Sequence, residues 1–366
     1  MTTNTYQKVE YFRVSNSKVK TYRNCQKSYE FKYMNKLTPI YKSMALVRGE
    51  LVHSMIEDSL LGISAEKSFE ERLSQKLRYA AISSLPSVQS REDVDNIICG
   101  KTQLSEEDSE EVSSTIASFL QSEEFEEVKM ALPIMEGYFD YYKNDQYKPY
   151  YYKDKCSEVH VEMPIRSNVI LEGYIDMLVT DQYGEVWVMD HKTHGKVPTG
   201  LIKSNMQQGV FYYTLAKYLG IPVKGVIWNY IVWKLPSEPE LLKSGELSRR
   251  KNINSTWSTY RRVINQYGLN EEDYSDMKAI LDGNEARFYT RQADVYPQAM
   301  VDQVMKDLKK SVEEMMYFET RGNGIRNLSY SCGTCSFKDL CYEQLCGHSL
   351  DEIIKDRYLK KVSLDI

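Results

Sequence analysis

The segment GYIDMLVTDQYGEVWVMDHKT, running from Gly173 to Thr193, has the pattern of a β-hairpin that brings charged residues to one point. Ile170 to Val179 and Val186 to Met189 are rich in β-branched and aliphatic residues, which favour strands. Asp181-Gln182-Tyr183-Gly184 between them has the composition of a tight turn, with Gly184 free to take a positive φ. Side chains alternate faces along a strand, so Asp190 and Lys192 point one way and His191 the other. Asp176 comes from the first strand, and Asp190 ends the second. Two converging carboxylates supply hard oxygen ligands for a divalent cation, and the lysine steadies negative charge on phosphate or on an attacking hydroxide. That chemistry suits a nuclease. Taken alone, Asp190-x-Lys192 also fits an exposed strand end with solvated charges. Gly173, just ahead of Asp176, leaves room for a close backbone approach.

Flanking sequence adds to the hairpin. His53 closes Gly49-Glu50-Leu51-Val52-His53, inside a stretch from Met44 to Leu60 with helical apolar spacing at Leu51, Met55 and Ile56. A histidine on such a face is most often a packed core residue. Downstream, a helix is expected from Ile202 to Leu219, stopped by Gly220. Gln208 and Tyr212 share one of its faces and could hold a DNA backbone or a base, although a half-buried Gln/Tyr pair is the plainer alternative. Of seven cysteines, Cys332-x2-Cys335-x5-Cys341 lie in one short loop and Cys25 lies near the start. Nothing from Met1 to Tyr22 resembles a signal peptide, so a cytoplasmic chain with reduced thiols is expected. The spacing then reads as ligation of zinc or an iron–sulfur cluster. Three ligands share the loop, and the fourth comes from elsewhere, with Cys25 and Cys346 as rivals. Cys99 and Cys156 read as core thiols.

Together, Cys25, Gly49-x3-His53, Gly173-x-Ile175-Asp176, Asp190-x-Lys192, Gln208-x3-Tyr212 and Cys332-x2-Cys335-x5-Cys341 resemble the RecB-like branch of the PD-(D/E)XK nucleases. Within it the chain is similar to iron–sulfur members: Cas-four-type exonucleases, their phage relatives and the nuclease domain of AddB. The resemblance implies an α/β, restriction-endonuclease-like core, a mixed β-sheet flanked by helices, with a helical N-terminal part. It implies that His53, Asp176 and Asp190 bind Mg2+ or Mn2+ together with the carbonyl of His191, and that Lys192 is the catalytic lysine. Gln208 and Tyr212 would contact DNA near the scissile bond; Gln207, one position away, is a rival match. Cys25, Cys332, Cys335 and Cys341 would hold a 4Fe–4S cluster joining the two ends of the chain. Glu162 sits where several relatives carry an acidic residue. The implied activity is a metal-dependent DNA exonuclease acting on single strands or DNA ends in recombination, repair or CRISPR-type processing. A non-catalytic DNA-binding subunit that keeps the fold and cluster is the alternative.

Composition sets further bounds. The 366 residues suffice for a substantial core, and no apolar run approaches a membrane span. Net charge is −5, unusual for a DNA-binding protein, but residues 1–42 hold nine Lys/Arg against two Glu, whereas Lys101 to Glu127 holds nine acidic residues and one lysine. A basic arm beside a metal centre attracts phosphate even in an acidic molecule, though a solvated surface is the default reading of each run. The expected organisation is a helical region over 1–150, the nuclease core over 151–235 and a C-terminal helical region over 236–366, all one cooperative unit. Further helices are expected at Lys18–Tyr33, Ser64–Ile82, Val112–Lys143 with an interruption at Pro133, Pro297–Thr320 and Leu350–Val362. Further strands are expected at Ser157–Ile165 and Lys224–Trp233, and no P-loop motif is present.

Overall fold

The computed structural model describes residues 11–40, 43–194 and 205–360. Seven strands among them build the main sheet: β1 (Phe12–Val14), β2 (Lys148–Pro149), β3 (Ser157–Arg166), β4 (Val169–Thr180), β5 (Val186–His194), β6 (Val223–Val232) and β7 (Tyr289–Asp294). The β4–β5 turn closes as its residues require. Gly184 takes φ +79°, and Asp181 Oδ1 accepts from the amides of Tyr183 and Glu185 at 2.9 and 3.0 Å.

β4 organises the sheet. Along one edge it pairs antiparallel with β3, from Ser157↔Met177 to Arg166↔Val169. Its other edge is shared. β5 pairs there only from Met177↔Met189 to Thr180↔Val186, and β1 runs parallel to Val169–Leu171. Between these two partners the edge is split, and Asp176 and Asp190 stand where β4 and β5 part. β5 continues in parallel register with β6, which is antiparallel to β7.

Five helices place the site: α1 (Asn16–Asn24), α2 (Met44–Leu60), α3 (Ala65–Ser83), α4 (Met206–Tyr218) and α5 (Gln298–Arg321). α4 and α5 cover one sheet face, where Phe211, Leu215, Leu308 and Met315 pack on Leu171, Val188 and Trp228. Each fully buried side chain of this kind contributes about 1.5–3 kcal/mol, enough to fix the rotation of α4 about its axis. α2 and the helix Ala131–Tyr141 pack elsewhere, through Leu51, Met55, Ile134, Met135 and Ile231. Ser64 caps α3 by accepting from the Lys67 amide at 3.3 Å.

Several expectations are corrected. The helix expected over Lys18–Tyr33 breaks at Cys25, whose backbone is extended (φ −161°, ψ 113°). Pro133 interrupts nothing: it lies in the first turn of Ala131–Tyr141, where amides lack intrahelical acceptors anyway, and the breaks fall after Phe119 and Lys129. Cys99 is exposed, because it caps the helix Arg91–Ile98 at its solvent end. The tail is helical only over Asp351–Arg357, then becomes a strand, Tyr358–Lys360, antiparallel to Leu37–Pro39. Residues 202–204 and 361–362 of the expected helices lie outside the described residues. No helix among the described residues is long and apolar enough to cross a membrane.

Candidate active site

The parting of β4 and β5 exposes backbone and side-chain polar groups to each other. The His191 amide, no longer in the ladder, donates to Asp176 Oδ2 at 3.0 Å. Asp190 is 1 % exposed. Its Oδ1 accepts from Gln208 Nε2 at 2.9 Å, and the Lys192 ammonium lies against its Oδ2. Asp190 and Lys192 thus share a face, while the His191 ring points away and is buried among other residues.

α2 brings His53 to the same place. Its Nδ1 lies 3.5 Å from Asp176 Oδ2, and its Nε2 donates to the carbonyl of His191 at 3.0 Å. With Nε2 carrying the proton, Nδ1 presents a lone pair to a carboxylate. Glu158 joins them: one ligand atom each from His53, Glu158 and Asp176 lie within 4.8 Å of one another. Nitrogen and oxygen lone pairs gathered this closely repel unless a cation or proton sits between them, and the donor set suits Mg2+ or Mn2+. Asp190 stands outside that trio, in an adjoining half of the site with Lys192 and Gln208.

Electrostatics agree with an anionic pair short of positive charge. Burial raises the Asp176 carboxyl above its ordinary range, against the pull of His53 and Lys192. Burial and the charge of Asp176 push Asp190 up to about 7, with Lys192 opposing. Burial raises Glu158 as well. The Tyr212 phenol, beside Gln208, is raised by burial and by Asp190, so it stays a hydrogen-bond donor at neutral pH. Divalent charge at this point would compensate two buried carboxylates at once.

Glu158 escaped the sequence reading, which favoured Glu162. Glu162 lies opposite Glu172, and Arg13 of β1 binds both, at 2.5 and 2.8 Å. Counting outward from Arg166↔Val169 would set Val159 against Asp176. A bulge between Pro164 and Arg166 shifts the register by one and brings Glu158 level with Asp176 instead, so no sequence signal pointed to Glu158. The neighbouring glutamines also separate. Gln208 reaches Asp190, whereas Gln207 donates to Asn16 Oδ1 at 2.9 Å and accepts from Arg23. Gly173 lies under α4, where an added Cβ would stand 3.0 Å from Leu215 Cδ1 and 3.1 Å from Tyr212 Cε1.

The cysteines gather at the junction of the chain ends. Cys25 follows α1, Cys332 and Cys335 lie in and after the turn Tyr330–Thr334, and Cys341 lies in the helix Lys338–Leu345. All four are half-buried, whereas Cys346 is exposed. Donors point at the sulfurs: the Ser329 amide at Cys332 (3.5 Å), the Phe337 amide at Cys335 (3.4 Å) and Arg326 Nε at Cys341 (3.3 Å). Burial raises the Cys335 thiol, and Cys25 and Cys332 raise it further. Backbone bonds also tie the ends, from the Lys27 amide to Ile325 O at 3.3 Å and from Asn327 Nδ2 to Asn24 O at 2.8 Å.

Among curated proteins none matches the chain. The sequence profile of the PD-(D/E)XK nuclease superfamily matches residues 13–342, from β1 to just past Cys341. Split strands carrying Asp176, Asp190 and Lys192 at the centre of a mixed, helix-flanked sheet, and a profile match over most of the length, lead to one conclusion: the chain belongs to the PD-(D/E)XK nuclease superfamily.

Proposed function

We propose that this nuclease is a metal-dependent DNA exonuclease that hydrolyses phosphodiesters at single strands or DNA ends. The observation that carries the hydrolytic part is the meeting of Asp176, Asp190, Lys192, His53 and Gln208 at the β4–β5 split. Exonuclease mode, and a place in recombination, repair or CRISPR-type processing, rest on the resemblance to RecB-like iron–sulfur members.

His53, Asp176 and Asp190 would hold Mg2+ or Mn2+, with Glu158 and the His191 carbonyl as further donors. When bound, the ion supplies a water of lowered pKa and polarises the phosphoryl oxygen. Lys192 offsets charge building up on phosphorus and positions the nucleophile. Gln208 holds Asp190 in orientation, and the Tyr212 hydroxyl is available to donate to DNA.

We assign Cys25, Cys332, Cys335 and Cys341 to a 4Fe–4S cluster. Amide and guanidinium donors aim at three of the sulfurs, as suits thiolates that share a metal centre. The choice of a 4Fe–4S cluster over zinc rests on the resemblance to iron–sulfur members.

The test is digestion of end-labelled single-stranded and duplex DNA with Mg2+, Mn2+ or EDTA, using wild type and Lys192→Ala. The expected result is end-dependent, metal-dependent cutting that falls by about 10²–10³ in the variant. Metal-independent cutting, or undiminished cutting by Lys192→Ala, would overturn the mechanism. Protein purified without oxygen should be brown, and Cys332→Ala should lose that absorbance together with soluble yield.

A further inference from the structure

On the far side of β5 from Asp190 and Lys192, a chain of buried polar side chains ends on the His191 ring. Its members are the side chains of His191, Asn229, Tyr138, Arg291 and Asp145, none of which has a part in the chemistry above; His191 enters that chemistry only through its backbone carbonyl. Asn229 is fully buried and His191 nearly so, and the Arg291 side chain is 9 % exposed. Three strands supply the centre of the chain, since Asn229 pairs with His191 across β5 and β6 and Arg291 pairs with Asn229 across β6 and β7. Tyr138 comes from the helix Ala131–Tyr141 and Asp145 from the segment after it.

The bonds have only one consistent direction. Arg291 Nε lies 3.1 Å from Asn229 Oδ1, and a guanidinium has donors but no acceptor. The amide oxygen therefore faces Arg291, and the amide NH2 faces the other way. That NH2 reaches Tyr138 Oη at 2.9 Å and His191 Nδ1 at 2.8 Å. An amide nitrogen can only donate, so His191 Nδ1 must be the bare acceptor, and the ring proton sits on Nε2. Arg291 cannot turn to release this order. Both oxygens of Asp145 hold it at 2.6 and 2.7 Å, Tyr138 Oη accepts from it at 3.1 Å, and the Tyr142 ring lies 3.7 Å from its guanidinium carbon.

We propose that Asn229 and Arg291 are positioning residues for the metal centre: Arg291 orients the Asn229 amide, which fixes the His191 tautomer and pins β5 between Asp190 and Lys192. The proposal rests on the metal-site reading above. The strand carries Asp190 and Lys192 on one face and is held at His191 on the other. The His191 carbonyl bonds His53, whose ring packs edge-on to the His191 ring at 5.5 Å. A shift of the His191 ring therefore moves the carbonyl, the His53 ring and both flanking side chains together. Partners that orient ligands from behind typically change metal affinity 10–100-fold when removed.

Asn229→Asp keeps the shape of the side chain and its bond from Arg291 but replaces the NH2 with an acceptor. His191 must then place a proton on Nδ1. Asn229→Leu removes the bond without offering an acceptor. The experiment uses the full chain, metal-free and 15N-histidine-labelled, and reads the His191 tautomer from its long-range 15N–1H pattern, with assignment by its loss in His191→Gln. Mn2+ affinity is measured on the same proteins, with urea midpoints to show that each is folded. The expected results are an Nε2–H ring in wild type, an Nδ1–H ring in Asn229→Asp, and Mn2+ binding weakened about 10-fold or more in both Asn229 variants. An Nδ1–H ring in wild type, or a folded Asn229→Asp variant with wild-type Mn2+ affinity, overturns the proposal. Wild type that binds Mn2+ no better than Asp176→Asn overturns the metal-site reading instead, and the tautomer result still stands or falls on its own signal.

Discussion

Replacing Gly209 with alanine should destabilise the protein, against the sign that helix propensity gives. Gly209 lies inside α4, where Gly→Ala ordinarily stabilises by about 1 kcal/mol. Here the added Cβ would overlap Tyr296 Oη and stand 2.9 Å from both Tyr296 Cζ and Trp228 Cζ2. Trp228 is fully buried and Tyr296 is 7 % exposed, so neither ring has space to swing aside. Overpacking of this kind costs roughly 1–3 kcal/mol. With two immobile rings the upper end applies, and the propensity gain leaves a net loss of about 2 kcal/mol. Unfolding entropy of about 2.1 cal/mol/K per residue makes that roughly 2–3 °C in Tm for a chain of this size. Relief by sliding α4 would break the 2.9 Å bond from Gln208 to Asp190, so Mn2+ affinity should fall as well. Urea and thermal unfolding read the first effect, and calorimetric Mn2+ titration the second. Tyr296→Phe in the same chain removes the overlapped oxygen and should restore part of the loss. A Gly209→Ala protein as stable as wild type, or more so, would refute the packing of α4 on β6.

Asp190→Asn tests the buried carboxylate pair. Because the Asp190 carboxyl is raised to about 7, its contribution to folding is full below the ordinary carboxylate range and is lost as pH rises through about 7. Metal-free Asp190→Asn should therefore be more stable than wild type at pH 8, by on the order of 1–2 kcal/mol, with the gap closing towards pH 5. Excess Mn2+ should stabilise wild type and leave the variant unmoved; the same pH profile for both proteins would count against the shifted carboxyl. Asp58→Ala addresses the seating of α2, which carries His53. Asp58 accepts from Ser68 at 2.6 Å and from Arg72 at 2.9 and 2.5 Å, and Arg72 holds its carboxyl below the usual range. Its contribution is present above the ordinary carboxylate range and lost as pH falls through the depressed value. Its removal should cost about 2–3 kcal/mol at pH 7 by urea unfolding, and a loss under about 1 kcal/mol would show that α2 is held by apolar contacts alone.

Residues 173–193 were legible as a hairpin because strand alternation and turn chemistry are local, and both survive in any tertiary setting. The same holds for α2, for the Ser64 cap and for the opposed faces of Asp190 and His191. Choices between neighbours were not local. Gln207 and Gln208 differ by about 100° around a helix, and only the docking of α4 on Phe211 and Leu215 turns Gln208 towards Asp190. Glu158 replaces Glu162 through the register of β3 on β4, and β1 joins the sheet through a pairing with residues far along the chain. The chain between Asn229 and Arg291 has no sequence signature at all, because hydrogen-bond direction is set by donors meeting across three strands. The residue types for phosphodiester chemistry were therefore written in the sequence, while their orientation came from long-range packing, where each group's partner is decided by burial and strand register.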